Sequence, residues 1–346
     1  MNLSDRKEFI EILKSVVPES IETLIDRYRI LRLISYFGPI GRRTLSTKLE
    51  ITERVARKEA NVLKEKNLVD FTLEGMVTSQ KGEECLLTLK EIIHDLKGIS
   101  VIEEELARIL KIKKVVLVES EDDELYRKEL GRRASEELKK IIKSSSVLGL
   151  TGGSTVYNLV KEFKKGKGNY EDMIVIPARG GVGSQISYQA NTLVEKLAGK
   201  LGAKYKILYT PDFLSKSSIE TLKNEPSIKE ILELVDNIDT LVFGIGKADV
   251  MASRRNINSE RIDYMIGQGA VSEAFGYYFN EDGEVVYEIS TIGIELEKFK
   301  SMKNIVAVAA GEDKADAIRS ISKINENLIL VTDKSTGMKI LSKVND

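Results

Sequence analysis

From Val115 onward, short apolar runs alternate with amphipathic stretches, and no other feature of this 346-residue chain narrows its possible folds as much. The runs are Val115–Val118, Val147–Leu150, Met173–Pro177, Lys206–Tyr209, Thr240–Phe243, Ile305–Ala309 and Leu328–Val331. Runs of four or five residues with no polar alternation are what strands need when helices cover both faces of their sheet. The stretches between them have the period and length of crossover helices. They predict a doubly wound, Rossmann-like α/β domain over residues 112–346. A chain this long is expected to form more than one domain, and its 42% apolar content supplies core for more than one.

The first 90 residues follow another pattern. Helical periodicity runs from Met1 to about Ile34, with a break near Pro18. Phe9, Leu13, Val16 and Val17 carry it in the first piece, and Leu24, Ile25, Tyr28 and Leu31 in the second. Gly38-Pro39 ends that helix, and Gly41 to Leu49 makes a short one. Thr52 can cap a third helix, and DFTLEGMVTSQKG alternates as a β-hairpin around Glu74-Gly75. This is the order of a winged helix-turn-helix over residues 1–90, with residues 91–111 as a helical connector.

Between Ile21 and Asp70 eleven basic residues face seven acidic ones, a local excess of +4 in a chain whose formal net charge is −1. A basic module on an acidic body points to double-stranded DNA as partner. In the helix from Ile51 to Lys66, Val55, Ala60, Val62 and Leu63 are expected to face the core. Thr52, Arg54, Arg57, Lys58 and Asn61 are expected to reach outward to a major groove, and Arg42 and Arg43 suit phosphates. Such a charge run is ordinarily a solvated face; the hairpin that follows at once gives it the DNA reading.

Four strand ends in the second domain run into small or glycine-rich loops. Leu150 leads into Thr151-Gly152-Gly153-Ser154-Thr155, and Ala178 into Arg179-Gly180-Gly181-Val182-Gly183. Phe243 leads into Gly244-Ile245-Gly246-Lys247, and Ala310 into Gly311-Glu312-Asp313-Lys314. Bare amides at a helix start favour an anion, glycine lets the backbone approach it, and Ser154, Thr155, Arg179 and Lys314 supply hydroxyls and fixed cations. In open α/β sheets these loops gather beyond the carboxyl ends of the strands. A phosphorylated ligand is therefore expected. GxxxxGK[ST] is absent and TGGST departs from GxGxxG, so neither a nucleotide P-loop nor a dinucleotide site is indicated.

The single cysteine, Cys85, excludes an internal disulfide and multi-cysteine metal sites. The single histidine, His94, lies far from every glycine-rich loop. No metal or cofactor is called for. No segment has the roughly 20 apolar residues of a membrane span, and the N-terminus has no signal-peptide pattern, so a cytoplasmic protein is expected. A sugar-phosphate isomerase, deaminase or lactonase with an accessory N-terminal module would suit the same loops. Its acid–base work would fall on Glu273 or Asp313 alone, which argues against an enzyme. A DNA-binding protein whose second domain serves only assembly is a third reading.

GPIGRRTLSTKLEITERV, LTGGSTV, PARGGVG, MASRRN, AVSEAFGYYFNEDGEVV and VAVAAGEDKADAI together resemble the SorC/DeoR-type family of sugar-responsive transcription repressors, in particular its branch governing central glycolytic genes. The resemblance spans nearly the whole chain. It implies repression of the operon beginning with glyceraldehyde-3-phosphate dehydrogenase, relieved by fructose 1,6-bisphosphate or a related phosphosugar. It also implies an effector domain related to glucosamine-6-phosphate deaminase and ribose-5-phosphate isomerase, and self-association to a dimer or tetramer. Phosphate contacts would fall on Gly152, Gly153, Ser154, Thr155, Arg179, Arg254 and Lys314, and sugar contacts on Gln189 and Glu273. Of these, Gln189, Arg254 and Glu273 come from the resemblance alone. Ser154 stands where the family has threonine, which keeps the hydroxyl donor.

Overall fold

The computed structural model describes residues 3–119, 123–164, 168–181, 185–210 and 214–345. The chain divides into two compact units, Met1–Ile102 and Glu103–Asp346.

In the first unit, helices Leu3–Val16 and Pro18–Phe37 meet where Pro18 takes a first-turn position that needs no N–H. Ile10 is buried, while Phe9, Ile12 and Val16 face outward. Helix Arg42–Leu49 closes at Glu50, whose φ is 54°. Helix Glu53–Glu65 starts as expected at Thr52, whose Oγ1 accepts from the Val55 N–H at 3.3 Å. Strands β1 (Val69–Phe71) and β2 (Met76–Thr78) pair antiparallel, and Ile40 adds a bridge to Met76. Helix Gln80–Leu96 follows. The helical connector expected over residues 91–111 is not one continuous helix: Gly98, at φ 68°, separates Gln80–Leu96 from Ile99–Leu110.

In the second unit the strands are β3 (Lys114–Val118), β4 (Val147–Leu150), β5 (Ile174–Pro177), β6 (Lys204–Tyr205), β7 (Thr240–Gly244), β8 (Gly246–Lys247), β9 (Ser272–Ala274), β10 (Tyr277–Phe279), β11 (Val285–Glu288), β12 (Asn304–Val308) and β13 (Leu328–Asp333). Seven of them form a parallel sheet in the order β3-β13-β12-β7-β4-β5-β6. Val116, Leu148, Val175, Val242, Val306 and Val331 face helices Asp123–Ile141, Ser154–Glu162 and Ala190–Leu201 in one core. On the opposite face Phe243 packs on Phe299, and Leu117 borders Gly337 of helix Lys334–Asn345.

Two sequence expectations need correction. The strand expected at Lys206–Tyr209 is instead Lys204–Tyr205, because the chain leaves the sheet edge after Lys206 donates to Val175 O at 3.1 Å. The backbone N–H and C=O of Leu208 then pair with the side chain of Asn191, each at 3.0 Å, so its apolar side chain is buried without a strand partner. The second difference is an antiparallel sheet, β11-β10-β9-β8, between β7 and β12, which the periodicity did not reveal. Its strands are two to four residues long, too short for an alternation pattern to stand out.

Candidate functional site

Strand order reverses direction between β4 and β7: from β4 the chain runs outward through β5 and β6, then returns to the other side at β7. A crevice is expected at such a point, beyond the carboxyl ends of the strands. Helix Ser154–Glu162 starts there with Gly153 as its N-cap and no side chain capping it. Its first-turn N–H groups therefore lack intrahelical partners and carry the positive end of the helix dipole. Gly152 is required by packing, since a Cβ would lie 2.6 Å from Tyr188 O. Gly153 has φ 122° and donates its N–H to Tyr188 O at 2.9 Å. Gln189, the N-cap residue of Ala190–Leu201, follows immediately, so it borders this loop.

The segment Gly244–Lys247 links the other parts. The Thr155 Oγ1 lies 3.0 Å from where a Cβ on Gly244 would sit, and Glu273 Oε2 lies 3.5 Å from that position on Gly246. Lys247 Nζ lies 3.7 Å from an Asp313 carboxylate oxygen in the Gly311–Lys314 loop. Glu273, on β9, is buried and held by three cationic or amide groups. Its Oε1 accepts from Arg255 Nη2 and from the Gly276 N–H, both at 2.8 Å, and lies 4.0 Å from Arg179 Nη1. Arg179, at the end of β5, also donates from Nε to Thr291 Oγ1 at 3.3 Å.

The two-residue turn joining β9 to β10, Phe275-Gly276, has positive φ at both positions, 57° and 93°. That geometry suits Asn-Gly and is rare for a bulky residue. Here the Phe275 ring packs between Phe243 and Phe299, with centroids 4.8 and 4.9 Å away, and these contacts offset the backbone cost.

Lys314 is half-buried. Burial lowers its pKa, Asp313 opposes the shift, and the charge of Arg254 adds to it. Arg254 itself is exposed. The loop carrying Lys314 is anchored by Asp333 at the end of β13, which accepts from the Gly311 N–H at 2.8 Å and from Thr336 Oγ1 at 2.6 Å. Val182 and Gly183 of the expected arginine loop lie outside the described residues. Sequence reasoning did not select Arg255. Its side chain is in fact 11% exposed. Spacing gives no signal for this; only the fold of β9 and β10 brings Glu273 and Tyr278 to it. Among the described residues no cluster of three or more His, Cys, Asp or Glu could hold a metal ion, and no helix is long and apolar enough to cross a membrane.

In the first unit, Thr52, Arg54, Arg57, Lys58 and Asn61 are exposed on helix Glu53–Glu65 and its cap, and Arg42 and Arg43 are exposed at the start of the helix before it. The buried stripe is Ala56, Ala60 and Leu63, and the expectation for Val55 is corrected, since it is 41% exposed. With Thr52 as cap, the alanines face inward at i and i+4 and let the helices approach closely. Phe71 of the hairpin lies beneath two cations: Arg42 is 5.5 Å and Lys64 4.7 Å from its ring centre.

Comparison with known proteins gives two family matches: the CggR N-terminal DNA binding domain over residues 23–93 and the Sugar-bind family of sugar-binding domains over residues 94–342. The central glycolytic genes regulator of Bacillus subtilis (strain 168) is 37% identical over 336 residues, covering 96% of this chain and 98% of its own. That of Priestia megaterium is 35% identical over 98% of this chain and 100% of its own. Among solved structures, a SorC-family transcriptional regulator from Enterococcus faecalis is 32% identical, covers 69% of this chain and 99% of its own, and superposes with a TM-score of 0.64. The full-length sorbitol operon regulator SorC from Klebsiella pneumoniae, 18% identical, shares the fold at a TM-score of 0.65 over 92% of this chain and 98% of its own.

Proposed function

Because the chain belongs to the family of central glycolytic genes regulators, with a DNA-binding domain followed by a sugar-binding domain, we propose that it represses the glyceraldehyde-3-phosphate dehydrogenase operon until fructose 1,6-bisphosphate, or a related phosphosugar, binds the second domain. The relatives are transcription regulators rather than enzymes, and the isomerase reading is set aside. The first domain acts as a winged helix-turn-helix: Arg54, Arg57, Lys58 and Asn61 face bases, while Arg42 and Arg43 hold phosphates of the operator. Thr52 serves the helix start as well as that face. The second is a Rossmann-like effector domain in a cytoplasmic protein that works as a dimer or tetramer.

One observation carries the effector reading. The segment Gly244–Lys247 joins an uncapped helix N-terminus at Ser154 and Thr155, the Glu273–Arg179 pair and the Lys314 loop around one strand-order reversal. Phosphates would take the Gly152–Thr155 amides and hydroxyls, Arg179, Arg254 and Lys314, and the sugar hydroxyls would take Gln189 and Glu273.

Thermal unfolding against fructose 1,6-bisphosphate, fructose 6-phosphate, glucose 6-phosphate, dihydroxyacetone phosphate and ribose 5-phosphate tests this. A ligand at about 100 times its Kd stabilises the folded state by about 2.7 kcal/mol. The expected result is the largest shift with fructose 1,6-bisphosphate and none in Arg179→Ala. A shift with another phosphosugar alone moves the operon assignment elsewhere, and no shift at all defeats the effector reading.

A further inference from the structure

A buried carboxylate between two buried arginines forms a triad of net positive charge, and such a group adds little or nothing to stability compared with apolar packing. Side-chain exposures of 5% for Glu273, 10% for Arg179 and 11% for Arg255 place this triad among such groups. The donors fall unevenly on the carboxylate. Arg255 Nη2 and the Gly276 N–H both bind Oε1 at 2.8 Å, and Arg179 is nearest the same oxygen. Oε2 lies on the side of Gly246, 3.5 Å from where a Cβ there would sit, and the Met251 side chain fills the space that the glycine leaves. Arg255 is fixed in turn by Tyr278, fully buried, whose hydroxyl accepts from Nη1 at 3.3 Å. The rotamer of Glu273 is thus set through Oε1 by Arg255 and the Gly276 N–H, with Oε2 on the side of the Gly244–Lys247 segment.

We propose that Arg255 is a positioning residue for ligand selectivity: it holds Glu273 so that Oε2 accepts a hydroxyl of the phosphosugar, and it contributes nothing to phosphate binding. This rests on the effector reading above. Arg179 and Arg255 thereby divide the work. Arg179 lies at the end of β5 among the loops, within reach of an incoming anion, whereas Arg255 stays on Oε1 and Tyr278. A carboxylate aligned to a hydroxyl rejects ligands lacking that hydroxyl far more strongly than apolar contacts could, because the buried acceptor would be left unpaired.

The test compares fructose 1,6-bisphosphate with hexane-1,6-diol bisphosphate, which keeps both phosphates and lacks every ring hydroxyl, by calorimetric titration of the full-length chain. In the wild type the sugar is expected to bind at least about 10-fold tighter. In Arg255→Met the ratio is expected to fall to about 3-fold or less, with sugar affinity lost and alkane bisphosphate affinity unchanged. Arg255→Lys, which keeps a donor toward Glu273, is expected to restore part of the ratio and guards against a folding defect in Arg255→Met. Equal weakening of both ligands in both variants assigns Arg255 to general structure or charge and overturns the proposal, as does an unchanged ratio. A wild type that binds neither bisphosphate overturns the effector reading and this inference with it.

Discussion

Lys314, a proposed phosphate contact, illustrates how a partly buried charge is kept at a cost. Burial lowers its pKa, and Arg254 adds to that against the opposing pull of Asp313 and Asp333. The folded state then disfavours the charged form relative to the unfolded chain. Stability should therefore rise as pH climbs from the folded pKa toward the unfolded value near 10.4. Lys314→Met is expected to raise the melting temperature of the ligand-free protein at pH 7, by about 2–4 °C for each kcal/mol relieved, and to abolish the phosphosugar shift. A lower melting temperature with that shift intact would contradict both halves of this account. Phe71 gives the counterpart in the first unit. Its ring holds Arg42 and Lys64 on the hairpin side, each contact worth about 0.5–1 kcal/mol at an exposed site. Phe71→Leu is expected to weaken operator binding about 3- to 10-fold by fluorescence anisotropy, with unchanged helix content.

At the scale of elements, the loops at the carboxyl ends of the strands are only as well placed as their anchors. Asp333 ends β13 and ties helix Lys334–Asn345 and the Gly311 loop to the sheet through Ser335, Thr336 and Gly311. Burial alone would raise its pKa, but these hydrogen bonds outweigh it and hold the carboxyl below the usual range. Their stabilisation is present in full above the unfolded carboxylate pKa near 3.9 and is lost as pH falls through the lower folded value. Asp333→Asn is expected to cost about 1.5–3 kcal/mol at pH 7 in urea unfolding, with the gap to wild type closing in acid. Helix Asp123–Ile141 depends on Gly131 in a different way, because a Cβ there would come 2.2 Å from Asn158 O of helix Ser154–Glu162. Gly131→Ala should therefore displace the helix that carries Ser154 and Thr155 at its N-terminus. The expected cost is about 1–3 kcal/mol of stability, with weaker phosphosugar binding.

At the scale of the molecule, two chemistries sit on separate compact units, and regulation requires a coupling free energy between them. A coupling of roughly 1–3 kcal/mol would change operator affinity about 5- to 150-fold when effector saturates. Operator affinity measured from 50 to 200 mM salt is expected to fall steeply as counterions are released. Arg43→Ala should make that slope shallower by about one unit while preserving sequence preference. A flat response in the wild type would remove Arg42 and Arg43 from the phosphate-gripping role.

The sequence by itself determined what local chemistry dictates. Six of the seven parallel strands were legible as apolar runs, because strands covered on both faces must be apolar throughout. The start of helix Glu53–Glu65 was legible because Thr52 is a good cap, and the helix start after β4 because glycine and hydroxyl residues cluster at that strand end. The edge strand failed because Leu208 takes its hydrogen bonds from a side chain 17 residues away in sequence. Val55 failed because helical period alone does not say which of two adjacent apolar residues meets the neighbouring helix. Arg255 was illegible for a related reason. A charged residue is buried only where partners from distant segments compensate it, and Glu273 and Tyr278 reach it through strands too short to leave a pattern. Periodicity and caps are local properties, whereas the burial of a charge is decided by the tertiary structure that brings its partners together.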